Sequence, residues 1–346
     1  MKSRAIETPP ARVRRFGRFA ASSVDLLMCA SINLLQSRHH LHARSRGEME
    51  RYVAVCEKLT AENFYAVPDD TETPRAFGVA NRPGATITWR SPINTEFPAN
   101  NIARADFFAS PRGWRAPTVL MLHALMSASH IGYRRCAARF NQLGWNACFV
   151  HLPYHYSRVP RGYWNGELAI TADLIRNAEG LRQGVIELRQ LMAILRERGC
   201  QEFGVLGTSY GGWIGALLAM VERDFRFVAL MAPIVNVEHA IWESPAARFM
   251  RRELRRAKVD SSLVARHFHL SSPMHNQPLC DPTRVLFVAG EFDLIARPDH
   301  IEEIQQKWRG SELLRVRQGH FGYRMIRETI AQLKERGDLP PRSGGL

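Results

Sequence analysis

The chain has 346 residues, 45% of them hydrophobic and 23% charged, a composition that suits one large α/β domain with insertions or two ordinary globular domains. Its formal net charge of +14 raises nucleic acid, membrane and acidic substrates as partners, because summed charge biases association without dictating fold. No nucleic-acid-binding module accompanies that charge, and the six cysteines (Cys29, Cys56, Cys136, Cys148, Cys200, Cys280) form no CxxC pair and no metal-type spacing. They read as reduced, buried thiols, and the expected compartment is the cytoplasm.

From the N-terminus, residues 1–75 read as a helical extension, with helices near 23–36 and 48–60 joined by the His- and Arg-rich link Ser37–Gly47 and ended at Pro68-Asp69-Asp70. Ser22 and Asp25 have the spacing of a capping box, which would open the first helix. The apolar run Val24–Leu35 is interrupted by Asp25, Ser31 and Asn33 and falls short of the ~20 residues that a membrane span requires. No small-x-small cleavage site follows it, so a signal peptide is not expected. Basic residues gather in the arm Arg12, Arg14, Arg15, Arg18, Arg38, Arg44 and Arg46, and again in Arg248, Arg251, Arg252, Arg255, Arg256 and Lys258. Both are expected as solvated faces, and the arm together with the cap helix that carries the second group is also a candidate for peripheral contact with an anionic membrane.

Residues 76–346 change to β/α alternation, which predicts a mostly parallel sheet with helices on both faces. Strands are expected near 86–90, 102–109, 118–123, 146–151, 203–207, 226–231, 284–289 and 313–317, and helices near 129–143, 169–198, 210–222, 298–308 and 322–335. Two connections, 152–168 and 234–283, exceed the usual two to six residues. Long insertions at strand C-terminal ends lie over the crevice where open α/β sheets bind ligands. The segment 234–283 is therefore expected to be a helical cap, its helix Ala246–Lys258 turning Phe249, Met250 and Leu254 inward and its arginines outward.

The chemistry-bearing stretch is Gly207-Thr208-Ser209-Tyr210-Gly211, set between an apolar strand and a helix. In that setting GxSxG forms a sharp turn that exposes a strained serine, and side chains two positions either side would strike neighbouring backbone. A serine hydroxyl needs a base, and the base a carboxylate to orient it. Asp293, after Val285–Ala289, and His320, in Gln318-Gly319-His320, follow in the order required. Glu291 and Asp299 are rivals for the acid, and His123, His151, His155 and His300 for the base. The helix after Ser209 aims its N-terminus at the serine, so the Tyr210 amide is the first expected oxyanion donor. The second is Leu125, with Met126 close behind, in the loop after the third strand. His123, Met126 and Tyr154 are expected to line the substrate pocket.

Through Gly207–Gly212, Gly290–Asp293, Gly319-His320 and His123-Ala124, residues 85–335 resemble the α/β-hydrolase superfamily. That resemblance implies an eight-stranded sheet, an acyl-enzyme mechanism and no cofactor. Ala124 stands where many members have glycine, which weakens the oxyanion assignment because glycine admits closer backbone approach. The substrate implied is a small-molecule carboxylic ester or thioester. An acyltransferase with the same triad and a non-catalytic binding protein on the same scaffold are the alternatives.

Overall fold

The computed structural model describes residues 11–38, 42–68, 85–127 and 129–340. Its centre is an eight-stranded sheet of β1 (Ala85–Arg90), β2 (Ile102–Phe108), β3 (Thr118–Leu122), β4 (Asn146–His151), β5 (Phe203–Thr208), β6 (Phe225–Met231), β7 (Val285–Gly290) and β8 (Glu312–Val316), in the order β1-β2-β4-β3-β5-β6-β7-β8. β2 pairs antiparallel with both β1 and β4, and every other pairing is parallel. The inner strands β3, β4 and β7 are buried along their whole length, whereas edge strand β1 alternates buried and partly exposed residues. That contrast follows from whether one or both faces of a strand are covered.

Five helices follow strands of the sheet: α4 (Ile131–Gln142), α5 (Leu174–Glu197), α6 (Tyr210–Ala219), α10 (Pro298–Lys307) and α11 (Arg324–Glu335). Asp173 opens α5 by accepting from the Arg176 amide at 3.1 Å, satisfying one of the donors that a helix start leaves free. The connection 152–168 is not a loose loop. Arg158, fully buried, forms a two-pronged ion pair with Glu187 of α5 (Nη1–Oε2 2.5 Å, Nη2–Oε1 2.8 Å) and also donates to the His151 and Asn100 carbonyls. The segment is thereby pinned to the longest helix of the sheet layer.

The segment 234–283 holds α7 (Val237–Trp242), α8 (Arg248–Arg256) and α9 (Ser261–His267). Phe249, Met250 and Leu254 of α8 are buried, while Arg248, Arg252, Arg255 and Arg256 are exposed.

Before the sheet come α1 (Ala11–Ser37), α2 (Arg46–Cys56) and α3 (Ala61–Phe64). The capping box expected at Ser22 does not form, because α1 runs unbroken through it from Ala11; nothing between Ala11 and Ser22 stops a helix. A capping box does open α2, where Ser45 accepts from the Glu48 amide and Glu48 returns the bond to the Ser45 amide. Counting from Val24 also understated the apolar length of α1. Gly17–Ser37 is long and apolar enough to cross a membrane by length and composition, because Phe19, Ala20 and Ala21 extend the run. These helices pack on the rest of the chain. Asn33 of α1 donates to the Pro245 carbonyl and accepts from the Phe249 amide, both at 2.9 Å. Tyr52 of α2 donates to Glu179 at 2.6 Å, and Arg182 and Arg189 of α5 reach the Phe64 and Tyr65 carbonyls. Residues 69–70 of the turn that ended the extension lie outside the described residues, as do the first ten residues and, within α1, the side chains of residues 11–16, which include Arg12, Arg14 and Arg15 of the basic arm.

Candidate active site

β5 ends directly in Ser209, whose backbone sits at φ 52° and ψ −112°, a left-handed conformation costly for a residue with a Cβ. Two glycines make this turn possible. A Cβ on Gly207 would lie 2.5 Å from the Gly211 carbonyl oxygen, and one on Gly211 would lie 2.3 Å from that of Leu122. Ser209 then serves as the first residue before α6, its carbonyl accepting from the Trp213 amide at 2.8 Å.

The Ser209 hydroxyl oxygen is 2.8 Å from His320 Nε2, and His320 Nδ1 is 2.8 Å from Asp293 Oδ2. Asp293 is buried, and its other oxygen accepts from the Ile295 and Ala296 amides at 2.8 Å each, which fixes the carboxylate plane. Burial pushes the His320 imidazole towards neutrality, but the charge of Asp293, its hydrogen bond and the charge of Asp25 outweigh that effect, and the ring's pKa is raised above its ordinary 6.5. A hydroxyl bonded to a carboxylate-backed imidazole can lose its proton as it attacks an electrophilic carbon.

The rivals for these roles are engaged elsewhere. Glu291 is turned to Arg317 and Asp299 pairs with Arg297. His151 meets Ser157 and Asp106, and His300 stacks edge-on to His239.

Asp25 is the residue of the candidate site that sequence reading passed over. It is fully buried, and its carboxylate accepts from the His320 amide (3.0 Å to each oxygen), the Phe321 amide (3.3 Å) and the Leu294 amide (3.2 Å). One side chain from α1 thus clamps the loops that carry Asp293 and His320. Gly319 belongs to the same fit, since a Cβ there would stand 2.8 Å from Asp25 Oδ1. Burial raises the Asp25 pKa above the ordinary 3.8, with the nearby Asp293 charge acting in the same direction, while the three amide hydrogen bonds oppose the shift. The available signal was one acidic residue inside an apolar helical run.

Ser209 and His320 face a cavity of about 160 Å³, lined largely by apolar side chains from the sheet side (Leu125, Trp213, Ile170), from 234–283 (Val237, Ile241, Met250, Phe268) and from α1 (Ile32). Two buried polar atoms at this cavity, Gln36 Oε1 and the Tyr210 hydroxyl, find no hydrogen-bond partner among the described residues.

Leu125 and Tyr210 line the cavity. The amide of Met126, the runner-up donor, is taken by His155 Nε2 at 3.3 Å. The pocket expectation for His123, Met126 and Tyr154 is wrong, as none of them lines the cavity. His123 is fully buried, donating from Nδ1 to the Ala124 carbonyl and accepting at Nε2 from the Leu152 amide. Burial holds it well below its ordinary pKa, and it works as a neutral strut between two strand ends. Met126 has a left-handed backbone (φ 53°) fixed by that bond to His155, and Tyr154 packs edge-on to Phe97 with its amide on Asn100. Among the described residues no group of three or more His, Cys, Asp or Glu side chains is placed to hold a metal ion.

The sheet order, the turn at Ser209 and the sequence positions of Asp293 and His320 are those of the α/β-hydrolase fold, and comparison with solved structures agrees. The chain is similar to an acetyl xylan esterase from Paenibacillus sp. R4 (14% identity, TM-score 0.58, covering 84% of this chain and 93% of that one). It is also similar to acetyl xylan esterase 1 from Thermoanaerobacterium sp. JW/SL YS485 (15% identity, TM-score 0.53, covering 82% and 92%). At such identities the likeness establishes the fold. No family model matches the sequence. Among curated proteins it is similar to an uncharacterized protein of Mycobacterium tuberculosis strain H37Rv, 24% identical over 204 residues that make up 58% of this chain and 48% of the relative. The matched part is thus about half the length of that relative.

Proposed function

We propose that the protein is a serine hydrolase acting on a carboxylic ester or thioester with an apolar acyl group. The observation that carries this reading is the hydrogen-bonded series Ser209–His320–Asp293 opening on a largely apolar cavity. Ser209 attacks the carbonyl carbon while His320 takes its proton, the oxyanion rests on the Tyr210 and Leu125 amides, and collapse expels the alcohol or thiol with the proton returned by His320. Water, activated by His320, then releases the acid and restores Ser209. Two of the solved structures sharing the fold are named as esterases, which supports the class and leaves the substrate to experiment.

A fluorophosphonate probe, which captures activated serines, tests the reading together with a panel of p-nitrophenyl esters of rising acyl length. Labelling at Ser209, abolished in Ser209→Ala and His320→Ala, with turnover favouring apolar acyl groups, is the expected result. Labelling together with transfer to an added alcohol or thiol in preference to water makes the enzyme an acyltransferase. A folded protein that takes no label overturns the reading.

A further inference from the structure

The helix α1 is amphipathic the wrong way round. The face turned into the protein carries Asp25, Cys29, Asn33 and Gln36, and the polar three among them are bonded to other elements: Asp25 to the His320 loop, Asn33 to Pro245 and Phe249, Gln36 to the Ile170 carbonyl. The opposite face repeats at helical spacing as Phe19, Ser23, Leu26, Leu27, Ala30 and Leu34, all exposed; Phe19, Leu27 and Leu34 show 73%, 67% and 70% of their surface to solvent. A solvent-facing helix ordinarily shows the reverse pattern, and single exposed leucines need no explanation whereas a contiguous apolar stripe does.

What borders the stripe selects the occupant. α1 packs along α8 through Asn33, and α8 presents Arg248, Arg251, Arg252, Arg255 and Arg256 around one open depression. Arg18 is exposed at the start of the stripe, and Arg38 at its end lies over the exposed Trp164 ring, 5.3 Å from its centroid. An apolar stripe with an exposed arginine at each end and an aromatic at one of them, on a helix packed against a second helix that exposes further arginines, and on a chain of net charge +14, complements a surface that offers hydrocarbon beneath negative headgroups.

We infer that α1 and the arginines of α8 form a docking face for an anionic lipid surface, on which α1 lies in the interfacial plane. Crossing the bilayer is a different state, since it would withdraw Asp25 and Gln36 from their protein partners into hydrocarbon. The same helix supplies Ile32 to the cavity wall and Asp25 to the His320 loop. Lipids therefore bind within one helix diameter of the candidate active site. This inference does not depend on the ester reading, because its measurement is binding.

The test is sedimentation of the full chain with vesicles of phosphatidylcholine alone and of phosphatidylcholine mixed with phosphatidylglycerol, at low and high salt. Binding to the mixed vesicles, weakened by salt as screening shortens the reach of the arginines, is expected, with little binding to neutral ones. The variants Leu26→Gln/Leu27→Gln/Leu34→Gln and Arg248→Gln/Arg252→Gln/Arg255→Gln should each lose at least about tenfold in partitioning, a difference well resolved by sedimentation. Val55→Gln, at an exposed apolar site on α2, should bind as the native protein does. All the substituted side chains are exposed, and unchanged thermal unfolding together with unchanged fluorophosphonate labelling of Ser209 would show that fold and site are intact. Native protein that ignores anionic vesicles, or a leucine variant that binds them undiminished, overturns the inference. So does a dimer by light scattering that the leucine variant alone dissolves, since the stripe would then belong to a second copy.

Discussion

Removing the Asp25 carboxylate tests whether α1 belongs to the candidate site. In Asp25→Ala three part-buried amides, those of Leu294, His320 and Phe321, lose their acceptor together. A fully buried donor left unpaired costs about 1–3 kcal/mol, so three part-buried ones cost up to about 3 kcal/mol together. Asp25→Asn keeps the shape and one oxygen, losing one acceptor while removing a charge that burial disfavours; its net change should stay within about 1 kcal/mol. The sign of the pH effect separates the two causes. Because the folded-state pKa of Asp25 lies above 3.8, its ionisation works against folding, and stability falls as pH rises from that ordinary value through the raised one. Asp25→Asn should lack this loss. Urea unfolding across acidic pH measures both effects, and the rate of fluorophosphonate labelling reports on His320, where a displacement of ~1 Å is worth on the order of 100-fold. Asp25→Ala with native midpoint and native labelling rate would refute the clamp.

The raised pKa of His320 places the acid limb of labelling and turnover above pH 6.5, since only the neutral ring can accept the Ser209 proton. Asp293→Asn and Asp25→Asn, each removing a charge that raises it, should both move the limb downwards, and a limb at or below 6.5 in the native protein contradicts the electrostatics. Arg158→Met strands Glu187 in the interior and should cost about 3–5 kcal/mol in urea unfolding. Arg158→Met/Glu187→Leu should recover most of that loss, and equal instability of single and double variants would show that the carbonyl bonds to His151 and Asn100 matter more than the pair.

Where local pattern carried the information, the sequence was legible. The buried strands announced themselves as apolar runs, and the ends expected for the β4 strand, 146–151, are those observed. Gly207 and Gly211 could be read as sites of close backbone approach because the collision is set by the turn itself. Ser209, taken from its motif, and Asp293 and His320, taken from their order after it and the strands and glycines beside them, lie in hydrogen-bond contact. Asp25 was invisible for the opposite reason. Its partners stand 269 to 296 positions away, and an acidic residue in an apolar helical run looks the same whether it faces water or a loop from the far end of the chain. The inverted face of α1 hid behind the same ambiguity, since periodicity shows that a helix has two faces without showing which is turned inward. His123 and Tyr154 were misplaced because a residue at a strand end can turn to the crevice or under the loop, and that choice is made by Ala124, Leu152 and Asn100 rather than by local spacing.

The bond between Asp25 and the His320 loop also sets a timetable. α1 leaves the ribosome before any strand of the sheet, yet the amides that satisfy Asp25 are made 269 to 296 residues later. Contacts of such sequence separation form late, after the chain entropy between them has been lost. A nascent chain can therefore complete the turn at Ser209 and still lack a fixed histidine loop. Throughout that interval α1 carries an apolar outer face and an unpartnered acid. The bond between Ser209 and His320 is in this way deferred until residue 320 has been made and its loop fixed, so that on the proposed function a truncated product ending before it would hold Ser209 without its base.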